Sequence, residues 1–197
     1  DFEASAEFLY SYDWPSGLVD AFHIHSNQIA LRFVLVDNSA SMLRNDGYKI
    51  ITNEGITKMI PCTRWEELTS TLIFFAQLME AAKSPTEFRF LNQYDPILIG
   101  TGADSGAGYR LLLERFSTNP LEETPLCQQV AQIISEIEIF SPMLIQQQKR
   151  ATIIIATDGE PSDGNLGELL TRLLPHPVSI VVRVCTSDRS VLDYWNG

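Results

Sequence analysis

Residues 31–43 read LRFVLVDNSASML: a near-continuous apolar run stops abruptly at Asp37, and Ser39 and Ser41 follow at alternate positions. Such a run is the pattern of a strand buried on both faces of a parallel sheet. A second run of the same kind, ATIIIAT at 151–157, ends in the same manner at Asp158. Between and around them the chain alternates strand and helix patterns. TRWEELTSTLIFFAQLMEAA (63–82) opens with Thr63 and Glu66 in capping-box spacing and repeats Trp65, Leu68, Leu72, Phe75, Ala76 and Met79 at helical intervals. EFRFLN and PILIG are short strand candidates, TGADSGAG a loop, and YRLLLERF a short helix. TPLCQQVAQIISEIEIF carries a Thr cap and a Pro at the first helical position, LGELLTRLL reads as a helix, PVSIVVRVC as a strand, and SVLDYW as the start of a last helix. Strands alternating with helices over one domain predict an α/β fold with a mainly parallel central sheet flanked by helices.

Two segments depart from that alternation. The first 29 residues are rich in aromatics (Phe2, Phe8, Tyr10, Tyr12, Trp14), with PSGLVDAFHI as a short helix presenting Leu18, Val19 and Phe22, and are expected to cover the sheet. Residues 48–60 lie in GYKIITNEGITKMI, which alternates on either side of NEG and predicts a small hairpin inserted after the first strand. The expected organisation is one domain over 1–197, with a core at 30–186 and the beginning of a terminal helix at 187–197 that the chain cuts short. The absence of an initiator Met suggests an excised or processed piece.

The charge of −11 disfavours nucleic acid or an anionic membrane as partner, since phosphate binding relies on clustered Lys and Arg. No apolar run reaches the roughly 20 residues that span a bilayer, which argues against membrane insertion. Cys62, Cys127 and Cys185 form no CxxC pair, and no Asn-x-Ser/Thr sequon occurs. Both features lean towards a reducing, cytoplasmic compartment, with an extracellular one left open.

In open parallel sheets, ligands bind outside the carboxyl ends of the strands, near a switch in strand order. Asp37, Ser39 and Ser41 after the first strand, Thr124 at a helix start and Asp158 after the second buried strand are therefore placed to converge. Carboxylates and hydroxyls of this kind suit a hard cation that keeps several waters. Here the chain resembles the von Willebrand factor A (vWA) family. DNSAS matches its DxSxS signature, ETPL looks like its threonine loop, and ATDGEPSDG looks like its aspartate loop.

The resemblance covers about residues 30–186 and implies a Rossmann-like, doubly wound sheet with a metal-ion-dependent adhesion site. It implies that Ser39, Ser41 and Thr124 touch Mg²⁺ or Mn²⁺, ahead of Ca²⁺, while Asp37 and Asp158 hold it directly or through water. It further implies a partner protein whose Asp or Glu fills the open coordination position, and so a non-enzymatic binding module. The hairpin insertion and the aromatic amino-terminal cover depart from the family pattern.

Blander readings stand beside these. DxSxS alone is more often a capped turn, and Thr before Pro is an ordinary helix cap. Glu160 and Asp163 read as solvated loop carboxylates, because the glycine of DGEPSDG falls too late for an EF-hand loop. GTGADSG fails the GxGxxG spacing at Ser105, and His23, His25 and His176 lack a Cys or carboxylate partner, so surface or packing roles are expected of them. The alternative function is a Mg²⁺-dependent hydrolase or phosphoryl-transfer enzyme, with Glu160 or Asp163 as the available base. No GxSxG elbow or P-loop supports it, and a metal that only staples loops together is the third reading.

Overall fold

The computed structural model describes residues 1–53, 56–93, 95–102, 106–121 and 123–196. Strand β1 (Ile29–Val36) is the centre of a five-stranded sheet. β4 (Thr86–Phe90) pairs parallel with it on one side, and β6 (Arg150–Thr157) and then β7 (Val178–Val184) follow, also parallel, on the other. β5 (Ile97–Ile99) runs antiparallel at the β4 edge. The expected mainly parallel α/β sheet is thus the observed one. Its order, β5-β4-β1-β6-β7, means that the chain winds outward from β1 in one direction and then returns to wind in the other. The switch lies between β1 and β6, whose register pairs Val36 with Ala156.

The apolar runs are explained by the two layers that cover the sheet. Val34 and Val36 face one core with Phe88, Phe90 and helix α3 (Arg64–Ala82), while Phe33 and Leu35 face the other with Ile153, Ile155 and helix α5 (Leu126–Gln146). A strand with helices on both faces has no polar side, hence its loss of alternation. Helix α4 (Ala107–Phe116) joins the first core through Leu112 and Phe116. Helix α6 (Leu166–Leu170), continued by a 3₁₀ turn at Thr171–Leu173, joins the second through Leu166 and Leu173.

The amino-terminal cover is more regular than the sequence suggested. α1 (Phe2–Tyr10) starts from an Asp1 cap and buries Leu9, and α2 (Ser16–Asn27) buries Val19 and partly Phe22. Leu18, expected on the same side, is 54% exposed, because it stands one residue off the packed stripe. Phe8 and Tyr12 meet Phe74 of α3 with ring centroids 5.3 and 4.9 Å apart, fastening the cover to the first layer.

The capping box forms as expected: Thr63 Oγ1 accepts from the Glu66 amide and Glu66 returns a carboxylate oxygen to the Thr63 amide. The hairpin forms as well, β2 (Gly47–Asn53) against β3 (Ile56–Cys62), as a separate two-stranded sheet. The NEG turn falls partly outside the described residues, as does the middle of the glycine-rich loop at 103–105. The last helix, α7 (Arg189–Asn196), packs back so that Trp195 joins the second core. The three cysteines are free thiols; burial pushes Cys127 up to about 11 and Cys185 up to about 12. Among the described residues, no helix is long and apolar enough to cross a membrane.

Candidate metal centre

β1 and β6 end side by side at the switch, so the residues that follow each strand must share one small volume. The Asp37 amide still pairs with the Ala156 carbonyl at 2.9 Å, continuing the ladder, while the Asp37 side chain turns into the gap between the loops. That carboxylate is wholly buried. Oδ1 accepts the Ser39 amide at 2.9 Å and Oδ2 accepts Thr157 Oγ1 at 2.5 Å. Burial raises the Asp37 pKa most strongly; the Ser39 and Thr157 hydrogen bonds oppose the shift, and the charge of Asp158 adds to it. A carboxylate buried in this way is costly to keep charged unless it is hydrogen-bonded or paired.

From Asp37 the oxygens continue as a chain. The Ser39 and Ser41 hydroxyls are 3.0 Å apart, and Ser41 donates to Asp158 Oδ1 at 2.7 Å. Ser39 stands at the start of a 3₁₀ turn (Ala40–Leu43) whose Met42 is buried, and that anchor aims both serines at the gap between the loops. Four of the five residues picked out by the sequence are therefore joined by direct contacts or a shared backbone turn.

Thr124 arrives by a different route. Its hydroxyl has no hydrogen-bond partner among the described residues, although the residue is nearly buried. Its carbonyl is tied into place by the Ser162 amide at 2.9 Å and the Leu126 amide at 2.8 Å. The preceding segment is stitched to the end of β1: the Leu121 amide bonds the Asn38 carbonyl, and Asn92 donates to the carbonyls of Leu121 and Glu123. Asn38 Oδ1 in turn accepts the Asn92 amide at 3.0 Å. The three loops thus hold each other through polar contacts.

The helix-cap expectation for Thr124 is overturned. α5 begins at Leu126, with Pro125 at the cap position, and no side chain of that pair caps it. The cap comes from Asp163, whose oxygens accept the Cys127 and Gln128 amides at 2.9 and 2.8 Å. A carboxylate on two amides at a helix amino end satisfies orphan donors and meets the positive end of the dipole. Asp163 is therefore not the merely solvated carboxylate expected from its loop, and Thr124 keeps its hydroxyl unspent.

Arg64 is the residue that sequence reasoning missed. It is the first residue of α3 and only 4% exposed. Nη1 donates to Asp158 Oδ2 at 2.7 Å, while Nε and Nη2 make a fork onto Asp46 at 2.6 and 2.5 Å. These partners raise its pKa, the Asp46 hydrogen bonds most. One signal was available: a cation in the first turn of a helix opposes the dipole and needs local carboxylates to hold it. Thr157 was missed too, as a polar side chain at the end of a buried run.

Asp37, Ser39, Ser41, Asp158 and Thr124 offer two carboxylates and three hydroxyls, a donor set that fits a hard divalent cation with water completing its shell. Among the described residues no group of three His, Cys, Asp or Glu could hold a metal. A site of this composition has only two such residues. His23 and His176 are packing residues as expected: His23 Nε2 lies 2.8 Å from Ser5 Oγ, and His176 Nδ1 lies 2.8 Å from Ser141 Oγ.

The chain is a doubly wound α/β domain with a cluster of oxygen-bearing side chains at its topological switch. In sequence, the chain matches no protein-family model and has no significant match among curated proteins. Among solved structures, it is similar to one described as the crystal structure of the SpRpn10 VWA domain, with a TM-score of 0.40 and 11% identity over 84% of this chain and 95% of that one. The class rests on the sheet and its order, independently of that likeness.

Proposed function

We propose that the chain is a non-enzymatic protein-binding module that holds Mg²⁺ or Mn²⁺ at Asp37, Ser39, Ser41, Thr124 and Asp158 and through it captures an Asp or Glu side chain of a partner protein. The observation that carries this reading is the run of hydrogen-bonded oxygens from Asp37 to Asp158 at the switch point, with the Thr124 backbone tied to the same loops through Ser162. Bound there, a cation would supply a Lewis-acidic position for an external carboxylate. The chain's own residues do the rest: Asp37 contributes a buried charge, the two serines bridge the loops, and Ser162 and Asn92 hold the Thr124 segment in register. With only two carboxylates and otherwise neutral hydroxyls and waters around it, the dication would keep Lewis acidity and an exchangeable position that a third carboxylate can take. Of the two candidates for the single general base that a hydrolytic reading would need, Glu160 and Asp163, the latter is spent on the α5 amides.

The test is thermal unfolding of wild type and Asp37→Ala in chelator, Mg²⁺, Mn²⁺ and Ca²⁺, because a ligand that binds only the folded state raises the midpoint by mass action. Mg²⁺ or Mn²⁺ should raise the wild-type midpoint and leave the variant unmoved. A midpoint in wild type that no cation shifts, or an equal shift in Asp37→Ala, contradicts the reading.

A further inference from the structure

The Arg64 guanidinium already occupies part of the electrostatic space that a cation would use. Asp158 spends Oδ1 on Ser41 and Oδ2 on Arg64, both at 2.7 Å, and its side chain is fully buried. The Arg64 side chain is 4% exposed, so the pair is screened little by solvent or salt. The far side of the guanidinium is forked by Asp46, whose side chain is 47% exposed. Asp46 sits immediately before the hairpin, whose root is pressed close to α3: a Cβ added at Gly47 would lie 2.8 Å from the Thr63 carbonyl oxygen. The Tyr48 amide also bonds Glu67 Oε2 at 2.9 Å, so Asp46 is fixed relative to α3 and cannot drift away from Arg64.

From this geometry we propose that Arg64 is a built-in competitor of the divalent cation for Asp158, and that Asp46 sets the strength of the competition by drawing part of the guanidinium charge away from the centre. The proposal rests on the cation reading above and adds to it a residue that decides affinity. A positive charge in contact with Asp158 repels a dication that shares the same carboxylate. The same contact keeps the buried carboxylate paired when no cation is bound, so the loops stay assembled for loading. Asp46 acts in the opposite sense to Arg64. Removing it would leave Asp158 as the one ion-pair partner of the guanidinium among the described residues and make the centre more positive.

The two residues therefore predict opposite signs, which a scaffolding role does not. Mn²⁺ and Mg²⁺ affinities would be measured by titration calorimetry on wild type, Arg64→Met and Asp46→Asn. Arg64→Met should bind about tenfold more tightly than wild type, and Asp46→Asn several-fold more weakly. Weaker or unchanged binding in Arg64→Met overturns the proposal, because Arg64 would then only position Asp158. If Arg64→Met fails to fold, Asp46→Asn decides: weaker binding supports the competition, and equal or tighter binding overturns it. Wild type that binds while the sign pattern fails removes the proposal alone. Absence of cation binding in all three proteins removes both the proposal and the reading on which it rests.

Discussion

The carboxyl edge of the central sheet and the β2–β3 hairpin are neighbours in the chain and obey opposite rules. At the edge, polar and charged groups are buried, and Asp37, Asp158 and Arg64 each have partners. On the hairpin, apolar groups are exposed: Tyr48, Ile50 and Met59 are 51%, 73% and 66% accessible. The register places Tyr48 opposite Pro61 and Ile50 opposite Met59, so these residues form one continuous face. The edge is held by side-chain polar contacts whose loss leaves a buried charge. The hairpin is held by its backbone ladder and by its root, and the apolar side chains contribute little to it. Stability and exposure thus point to different jobs: the edge is a fixed centre, and the hairpin is an appendage seated beside it through Asp46 and Glu67.

That contrast can be broken most easily at its strong end. Asp158→Ala leaves Arg64 buried with Asp46 alone, and removing one partner of a buried pair costs about 3–5 kcal/mol. Urea unfolding in chelator should show a loss of that order. A loss below about 1 kcal/mol, the scale of an exposed pair, would mean that the edge pairs count no more than surface ones.

The junction between the two regions should give an intermediate effect. Thr63→Ala removes one half of the capping box at the start of α3 and should cost about 1 kcal/mol. The Glu66 carboxyl is held below its usual range, chiefly by the Thr63 amide. A carboxyl with a depressed folded-state pKa stabilises above its unfolded pKa and loses that contribution as pH falls through the folded one. The stability advantage of wild type over Glu66→Gln should therefore be present at pH 7 and close as pH falls below the ordinary glutamate range. An advantage that persists unchanged at pH 2 would show that charge is not its source.

The smallest effect belongs to the hairpin face. Ile50→Ser with Met59→Ser should change unfolding free energy by no more than about 0.5 kcal/mol, as for exposed positions away from packing. A cost near that of Asp158→Ala would show that the exposed face is part of the folding core, and the contrast would fail.

Much of the fold was legible because burial on both faces leaves a plain signature: LRFVLV and ATIIIAT are short, β-branched-rich apolar runs, the pattern of inner strands of a covered sheet. The helix beginning at Thr63 announced itself through its cap, and the hairpin through its alternation. The positions of Asp37, Ser39, Ser41 and Asp158 followed from where those strands end. What was hidden depended on pairings remote in sequence. Asp163 caps a helix that begins 37 residues before it, and Arg64 reaches Asp158 across 94 residues. No local period encodes either contact. α1 was obscured because its aromatic residues fit a loop cover as well as a helix, and its packing on Phe74 is again a tertiary fact.

A chain with a charge of −11 will attract dications over much of its surface, so where a cation sits is the decisive observable. The measurement is paramagnetic broadening of backbone amide signals by substoichiometric Mn²⁺. Broadening should be centred on residues 37–41, 123–126 and 158–162, fade along β1 and β6 away from their carboxyl ends, and disappear in Asp37→Ala. Broadening spread over the acidic helices, or centred anywhere other than these three loops, would contradict the proposed site.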